Sequence, residues 1–596
     1  MITETFHKIL QENSKAIRAF NFLKKHDIVL LSIMVGLLAG CAAVLLKTML
    51  HYGSEFVIDL FEPSDTNYFF IILPIIGVTL SFIYVTYILK DNISHGVSRV
   101  LYAIAKKRGN LEKSKTYSSL IASTLTIGFG GSVGPEAPIV LSGSSIGSYI
   151  GRLFKVDYRT MLLLVACGAA GAIAGIFGAP IAGIVFALEV LMIDLSLSSI
   201  VPLLIASVSG ALVTALFMGR DVLFHFSMKN DFEFRNLWFY LLLGIVAGFV
   251  SLYFLKISEK AESIFARYKN PWNKILIGGG FLGILIFLFP PLYGEGFVFI
   301  SYILQGQTEV LFNNTWYYPY QDNTFIFLGF ILALIFLKVI AMSLTNGSGG
   351  IGGVFAPSLF VGGMLGFFVA RLLNETLHLN LPEAYFALTG MAAVMSGVMH
   401  APLTAIFLVT EISGGYRLFI PLVFVSVSAY LVNVYFHRHS VYTKTLAEKK
   451  ELFTHDKDAM ALSLISLSNL VEKSFTVVHP NDTLGQLVKA ISCSTRNVFP
   501  IVENNNKFMG VVTLDHVKTL IFHPEYYEKI YVKELMYSPK YTIDISEKIE
   551  NVVKKMSDTN DYNFAVLDKD TYLGFVSRAD VFSAYRKTIK ELSSDY

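Results

Sequence analysis

From Ile28 to about Phe436 the chain is a succession of apolar runs joined by brief polar segments. Ile28–Leu46, Tyr68–Leu89 and Asn236–Leu255 contain no charged residue, and each predicts a helix able to cross a hydrocarbon core about 30 Å thick. Many of the other runs are short or cut by Gly and Pro. The sharpest cut is Gly131-Ser132-Val133-Gly134-Pro135-Glu136-Ala137-Pro138, between the apolar runs Leu120–Phe129 and Ile139–Ile150. Irregular backbone at membrane depth is tolerated only where protein buries it or a polar cavity borders it. A helix that starts just past such a break turns free N–H groups and its positive dipole end toward that cavity, which suits an anion. After Tyr442 the pattern changes. Lys444–Lys457 is charged, and beyond it period-two stretches such as Phe475–Val478 and Phe508–Val512 predict strands alternating with helices, a soluble α/β pattern.

The apolar half repeats itself. Gly131-x-Val133-Gly134-Pro135 lines up with Gly353-x-Phe355-Ala356-Pro357 at an offset of 222 positions (357 − 135). The same offset brings Gly168 onto Gly390, Gly175 onto Gly397, Ala179-Pro180 onto Ala401-Pro402 and Glu189 onto Glu411. Two halves interrupted at matching positions are the sequence mark of an inverted-repeat transport protein, with its site where the breaks converge. Glycines that merely ease helix packing would not keep this paired order. The soluble tail repeats too: Phe499–Val502 with Phe508–Thr513 corresponds to Phe564–Leu567 with Tyr572–Ser577.

Composition agrees with the pattern. Of 596 residues 54% are hydrophobic and only 16% charged, against about 25% charged in soluble proteins. Mean hydropathy is +0.56. The run Ile28–Leu46 is too long for a signal-peptide core and lacks a small-residue cleavage site, so it is expected to be retained. The net charge of +3 carries little information, and Cys41, Cys167 and Cys493 are too few and too scattered for a disulfide framework or a zinc site. Lys and Arg flank the first two spans at 8–25 and 90–115, whereas 51–67 holds acids without Lys or Arg. The positive-inside rule then places the N-terminus and 90–115 in the cytoplasm, with residues 1–27 as a basic amphipathic lead-in on that face, and the C-terminus is expected on the same side.

Taken together these residues resemble the CLC family of chloride channels and chloride/proton antiporters, followed by a pair of CBS domains. Four features occur in family order. Ser94-His95-Gly96-Val97-Ser98 stands where the family has Gly-Ser-Gly-Ile-Pro, and Gly131-Ser132-Val133-Gly134-Pro135 stands for Gly-Arg/Lys-Glu-Gly-Pro. Gly353-Val354-Phe355-Ala356-Pro357 is the Gly-x-Phe-x-Pro motif unaltered, and Tyr442 matches the tyrosine whose hydroxyl faces the anion from the inner side. The resemblance implies an α-helical polytopic membrane protein with inverted repeats and broken helices, and a C-terminal α/β CBS tandem. The expected divisions are a cytoplasmic segment 1–27, a transmembrane domain 28–443, a linker 444–465, and CBS repeats 466–527 and 528–596. It also implies a homodimer in the lipid bilayer with one anion pathway per subunit. The anion-binding residues carried over are His95, Gly96, Val97, Val133, Gly134, Gly353, Val354, Phe355, Ala356 and Tyr442. Backbone amides and one hydroxyl supply donors without a full positive charge that would trap chloride.

Three departures from the family pattern bear on mechanism. Val133 replaces the gating glutamate, and Val190 falls where proton-coupled members carry an inner proton-transfer glutamate. Valine cannot titrate, so the expectation is a passive, proton-uncoupled chloride or small-anion channel. The alternative is a chloride/proton antiporter with a non-standard route through Glu136 or Glu189. Third, His95 takes the place of the family serine; its imidazole offers one N–H when neutral and a charge when protonated, and the alternative is that Gly96 and Val97 amides do the binding. A CBS-bearing magnesium channel would need inward acids for a hard cation, and the convergent breaks are amide-rich instead. In the tail, Gly574…Ser577…Asp580 resembles a ribose-binding pattern for ATP, ADP or AMP, and the first repeat has His516 in the matching place. The competing reading is a packing module without ligand. No catalytic residue, metal site, required cofactor or nucleic-acid partner is expected.

Overall fold

The computed structural model of this protein describes all residues except 1–27, 56–67, 91–95, 193–196, 220–223, 225–232, 313–317, 321–322, 449–461, 463–464, 504, 560 and 594–596. The expected lead-in 1–27, His95 and most of the expected linker therefore lie outside the described residues. The chain forms two compact units, Met1–Leu452 and Phe453–Tyr596.

The first unit is helical throughout. Its first half contains α1 (Ile28–Glu55), α2 (Phe69–Ile83), α3 (Gly96–Lys106), α4 (Lys115–Gly128), α5 (Glu136–Leu153), α6 (Tyr158–Phe177), α7 (Pro180–Glu189) and α8 (Leu197–Met218). The second half contains α9 (Leu237–Ala266), α10 (Pro271–Leu288), α11 (Phe297–Leu304), α12 (Thr324–Ser348), α13 (Phe355–Leu377), α14 (Glu383–Met399), α15 (Pro402–Ile412) and α16 (Phe419–Phe436). Among the described residues nine helices are long and apolar enough to cross a membrane. The charge-free runs mark only parts of them: the first span extends to Glu55, and the one around Asn236–Leu255 runs from Phe234 to Ala266.

Packing repeats along with order. Helix α5 packs on α6 and α6 on α8, as α13 packs on α14 and α14 on α16. These contacts are close because both partners lack a side chain where they cross. A Cβ on Gly168 would lie 1.9 Å from the carbonyl oxygen of Gly143, and one on Gly390 would lie 2.3 Å from that of Gly362. Helices α7 and α15 start on an Ala-Pro step whose Pro occupies the first turn, where its missing N–H costs nothing.

The two short helices are joined at their ends. Glu411, near the end of α15, accepts the N–H groups of Ile181 (3.0 Å) and Ala182 (2.8 Å) at the start of α7. Glu189, at the end of α7, accepts those of Leu403 (3.1 Å) and Thr404 (2.7 Å) at the start of α15, together with the Thr404 hydroxyl. Each carboxylate thus satisfies two N–H groups that helix geometry leaves without partners, and offsets part of the other helix's dipole. This gives both acids a structural task.

In the second unit β1 (Val498–Val502) pairs antiparallel with β2 (Phe508–Thr513), and β4 (Asn563–Asp568) with β5 (Thr571–Ser577). The short β3 (Ile543–Asp544) runs parallel to β4. The expected strand at Phe475–Val478 does not form. Val478 makes a single parallel bridge to Ile501, the counterpart of the β3–β4 pairing, and Phe475 is buried by its side chain alone. The repeats exchange edges: Glu472 bridges to Phe575, and Tyr537 bridges to Val511. Each copy thereby covers the other's open sheet edge.

Candidate anion site at the paired helix breaks

The breaks before α5 and α13 meet. Gly134 N–H donates to Gly353 O (3.0 Å), and Gly353 N–H donates back to Gly134 O (2.6 Å). Flanking clamps follow the same twofold relation. The Thr126 hydroxyl accepts from Ile351 N–H (3.0 Å), and the Thr345 hydroxyl accepts from Ser132 N–H (3.1 Å). Just past α4 and α12 the chain turns at Gly130 (φ +95) and Gly349 (φ +107), and the next N–H of each folds back on Thr126 O and Thr345 O. Left-handed backbone of this kind favours glycine.

This geometry corrects the register inferred from the motifs. Gly134 is the mate of Gly353, an offset of 219 (353 − 134), and Gly143 relates to Gly362 in the same way. The offset of 222 holds only further on, since Gly390 lies 28 positions after Gly362 whereas Gly168 lies 25 after Gly143 (390 − 362 and 168 − 143), three more in the second half. The mate of Glu136 is therefore Phe355, and Gly134-Pro-Glu-Ala-Pro138 corresponds to Gly353-Val-Phe-Ala-Pro357.

The amide donors are corrected as well. The N–H groups of Gly134 and Gly353 serve each other, and Val133 N–H bonds to Gly131 O (2.9 Å). The first N–H to bond back into its own helix belongs to Ile139 in α5 and to Ser358 in α13. Pro138 and Pro357 have none, so Glu136, Ala137, Phe355 and Ala356 present N–H groups without an intrahelical acceptor. Val354, the residue before α13, sets the approach to them. Val133 is fully buried; a Cβ on Gly352 would stand 2.2 Å from its Cγ2, so Val133 fills the space its mate leaves empty.

The other expected residues gather around these helix starts. Gly96 opens α3 so close to α5 that a Cβ would lie 2.5 Å from Ala137 O. Val97 and Tyr442 are buried in the same apolar cluster as Val133, Ala137 and Phe355. Ser98 donates its hydroxyl to the backbone carbonyl of Tyr442 (2.9 Å), which anchors the tyrosine rather than an anion. Tyr442 lies within electrostatic reach of Glu136. Val190 is buried among apolar side chains at the end of α7. Two participants were not singled out by the motifs: the threonine clamps, and Lys338. Fully buried, Lys338 Nζ donates to Gly294 O (2.7 Å) and Leu292 O (3.3 Å), the latter also accepting the Ser132 hydroxyl (2.6 Å).

In the second unit Ser577 immediately precedes the helix Arg578–Ser593, accepts the N–H of Asp580 (3.0 Å) and donates its hydroxyl to the Asp580 carboxylate. In the first repeat the Thr513 hydroxyl meets Nδ1 of His516 at 2.8 Å. The Ser-x-x-Asp pattern thus caps a helix start through the Ser577 hydroxyl, with the Asp580 carboxylate bonded to that same hydroxyl.

Residues 76–434 match the family described as voltage gated chloride channel, and residues 467–523 and 532–587 each match the CBS domain. A ClcB-like protein of Ralstonia nicotianae is 29% identical over 394 residues, covering 64% of this chain and 86% of that protein. The H(+)/Cl(-) exchange transporter ClcA of Vibrio parahaemolyticus is 30% identical over 330 residues, 54% of this chain and 67% of its own. The fold matches that of a slow cyanobacterial Cl-/H+ antiporter (TM-score 0.61, 24% identity, 71% of this chain and 97% of that one). It also matches a eukaryotic CLC transporter (TM-score 0.58, 16% identity, 94% and 98%). The chain therefore belongs to the voltage gated chloride channel (CLC) family of integral membrane anion transporters and carries two CBS domains.

Proposed function

We propose that this protein conducts chloride and other small anions passively, without moving protons, through the paired breaks. The observation that carries this reading is Val190, sealed in the core where the motif order places the inner proton-transfer acid; Val133, an apolar side chain at the break, fills the space over Gly352. The donors are the amides of Glu136, Ala137, Phe355 and Ala356 with the Tyr442 hydroxyl; Gly96, Val97, Gly134, Gly353 and Val354 shape the cup, and His95, which directly precedes Gly96 in sequence, is proposed as a further anion-binding residue. A second reading, proton-coupled exchange, is favoured by two observations: the relatives named as exchangers, and the buried carboxylate of Glu136 at the site. A chloride gradient imposed on proteoliposomes separates them. Chloride should leave without external pH change when the membrane potential is clamped; sustained proton movement against its own gradient would select exchange.

The proposed assembly is a homodimer with a pathway in each subunit, both termini cytoplasmic, and domain divisions at 28–443, 466–527 and 528–596. The CBS pair is proposed to bind an adenine nucleotide, with Asp580 receiving the ribose through the carboxylate oxygen not engaged by Ser577. Asp580→Ala leaves the Ser577 hydroxyl capping the backbone N–H of residue 580 and removes only the hydroxyl-to-carboxylate bond, worth about 0.5–1.5 kcal/mol. Asp580→Ala should therefore lower the melting temperature of the soluble unit modestly and abolish ATP binding by calorimetry. Unchanged ATP binding in Asp580→Ala would restrict Asp580 to its bond with Ser577.

A further inference from the structure

One carboxylate holds both ends of the segment that carries Tyr442. Residues 437–443 join α16 to the short helix Lys444–Glu448. Within the segment, the Ser440 N–H donates to the Thr443 hydroxyl (3.1 Å), and the Ser440 hydroxyl accepts the N–H groups of Tyr442 and Thr443 (3.3 Å each). These bonds give the turn its local shape but do not fix it to the helices around it. Its two ends meet on α9. Glu259 Oε1 lies 3.0 Å from His437 Nε2 and 2.5 Å from Lys444 Nζ. Helix α9 is 30 residues long and packs along α16, so the acid belongs to the scaffold and not to the segment it ties.

The ring of His437 stands between two acceptors. Its Nδ1 is 2.8 Å from the carbonyl oxygen of His439, and its Nε2 faces Glu259. A carbonyl and an ionised carboxylate accept hydrogen bonds and cannot donate them, so both contacts are hydrogen bonds only when each ring nitrogen carries a proton. The geometry is that of the imidazolium. Without its second proton the ring turns a lone pair toward one of the two oxygens, and that contact becomes repulsive. The side chains of His437, Glu259 and Lys444 are all partly buried, which leaves their attraction less screened than that of a surface pair. The charged and titratable groups around His437 are Glu259 from α9, Lys444 from the short helix with Glu448 beyond it, His439 from the same segment, and His400 from the end of α14.

We propose that Glu259, His437 and Lys444 are positioning residues, a clasp that sets where Tyr442 stands and whose grip follows the charge of His437. The inference rests on the role given to Tyr442 in the anion pathway proposed above. Imidazole charge changes between about pH 5 and 8. On the acid side both ring nitrogens donate, the clasp is closed, and the Tyr442 hydroxyl is held toward the anion. On the alkaline side the His437 end opens and Lys444 is the remaining tie to Glu259, so the segment loosens and the hydroxyl serves the anion less well.

The test uses the full-length protein and two readouts between about pH 5 and 8: fluorine NMR of a 3-fluorotyrosine placed at position 442, and chloride binding by calorimetry. The variants are His437→Gln, which carries no charge at any pH, and Glu259→Gln, which keeps an acceptor oxygen without the charge. In the parent the fluorine resonance should move across this interval, and chloride affinity should fall by up to about tenfold as pH rises, the loss of one donor to an ion. Both variants should lose this pH dependence and bind chloride at every pH as weakly as the parent does on the alkaline side. Added to Tyr442→Phe, His437→Gln should cost no further affinity, because the effect passes through the tyrosine hydroxyl. A parent resonance that does not move with pH, a measurement that needs no variant, would overturn the proposal. So would the same movement in His437→Gln, or an equal loss of affinity from His437→Gln with and without the Tyr442 hydroxyl. If the resonance behaves as expected while chloride affinity is constant throughout, the clasp stands and the role of Tyr442 in the anion pathway falls.

Discussion

Gly168→Val and Gly390→Val should each prevent the membrane unit from assembling, whereas Gly329→Val should be silent. At Gly168 a Cβ would stand 1.9 Å from Gly143 O and 2.5 Å from Gly143 C; at Gly390 it would stand 2.3 Å from Gly362 O and 2.9 Å from Gly366 Cα. Every one of these is a backbone atom, so no side chain can swing aside. Separating α5 from α6, or α13 from α14, would break the most extensive helix contacts of each half and shift the breaks that α5 and α13 carry. Overpacking a dense core costs roughly 1–3 kcal/mol where neighbours can yield, and backbone against backbone cannot, so the loss should exceed that range. Gly329, in α12, has nothing within 4 Å of its Cβ position. The same valine there tests whether substitution in an apolar helix is itself harmful. Monodispersity on size exclusion, read alongside expression, decides the matter. Normal behaviour of Gly168→Val would mean that α5 and α6 are further apart than described.

Glu411→Ala and Glu189→Ala should also be damaging, and for an electrostatic reason. Glu411→Ala strands the N–H groups of Ile181 and Ala182; Glu189→Ala strands those of Leu403 and Thr404 and the Thr404 hydroxyl. An unsatisfied buried donor costs about 1–3 kcal/mol; these donors are part-buried and the Leu403 N–H is exposed, so each variant should lose about as much as one such donor, roughly 1–3 kcal/mol. Gln is a poor remedy, because each carboxylate uses both oxygens as acceptors and an amide would turn an N–H toward a second N–H. Thermal unfolding in detergent should therefore rank parent well above Gln, and Gln at or above Ala, for both sites. A proton-relay role for Glu189 predicts something else, a stable Glu189→Gln protein whose only defect is in proton movement. That outcome would return Glu189 to the transport mechanism.

How far the sequence discloses this molecule differs from part to part. The inverted repeat is legible because interrupted helices need Gly and Pro, and those residues recur in order through Gly168/Gly390 and Ala179-Pro180/Ala401-Pro402. The register at the break is not. Gly and Pro recur at both 219 and 222 there, and the Gly134–Gly353 bridge with the Thr126 and Thr345 clamps distinguishes the two. That ambiguity also hid the place of Glu136: with the 222 offset it has no special mate, while the 219 offset sets it opposite Phe355. The donors were legible as a class, since helix starts offer amides, but which amides remain free depends on hydrogen bonds between residues more than two hundred positions apart. In the soluble half, Phe475–Val478 alternates like a strand, yet only Val478 finds a partner. Side-chain burial of Phe475 produces the same alternation without a ladder. The Ser577…Asp580 pattern shows the converse, a motif whose spacing serves helix capping whether or not a nucleotide binds.

The central claim is a pathway through the paired breaks that carries anions and not protons. Its most direct test is the reversal potential of the full-length protein in a planar bilayer, with chloride and proton gradients imposed in opposite directions. The account predicts a potential that follows the chloride gradient and stays in place when the proton gradient alone is changed. A potential that moves with the proton gradient at fixed chloride would show obligatory exchange and contradict it.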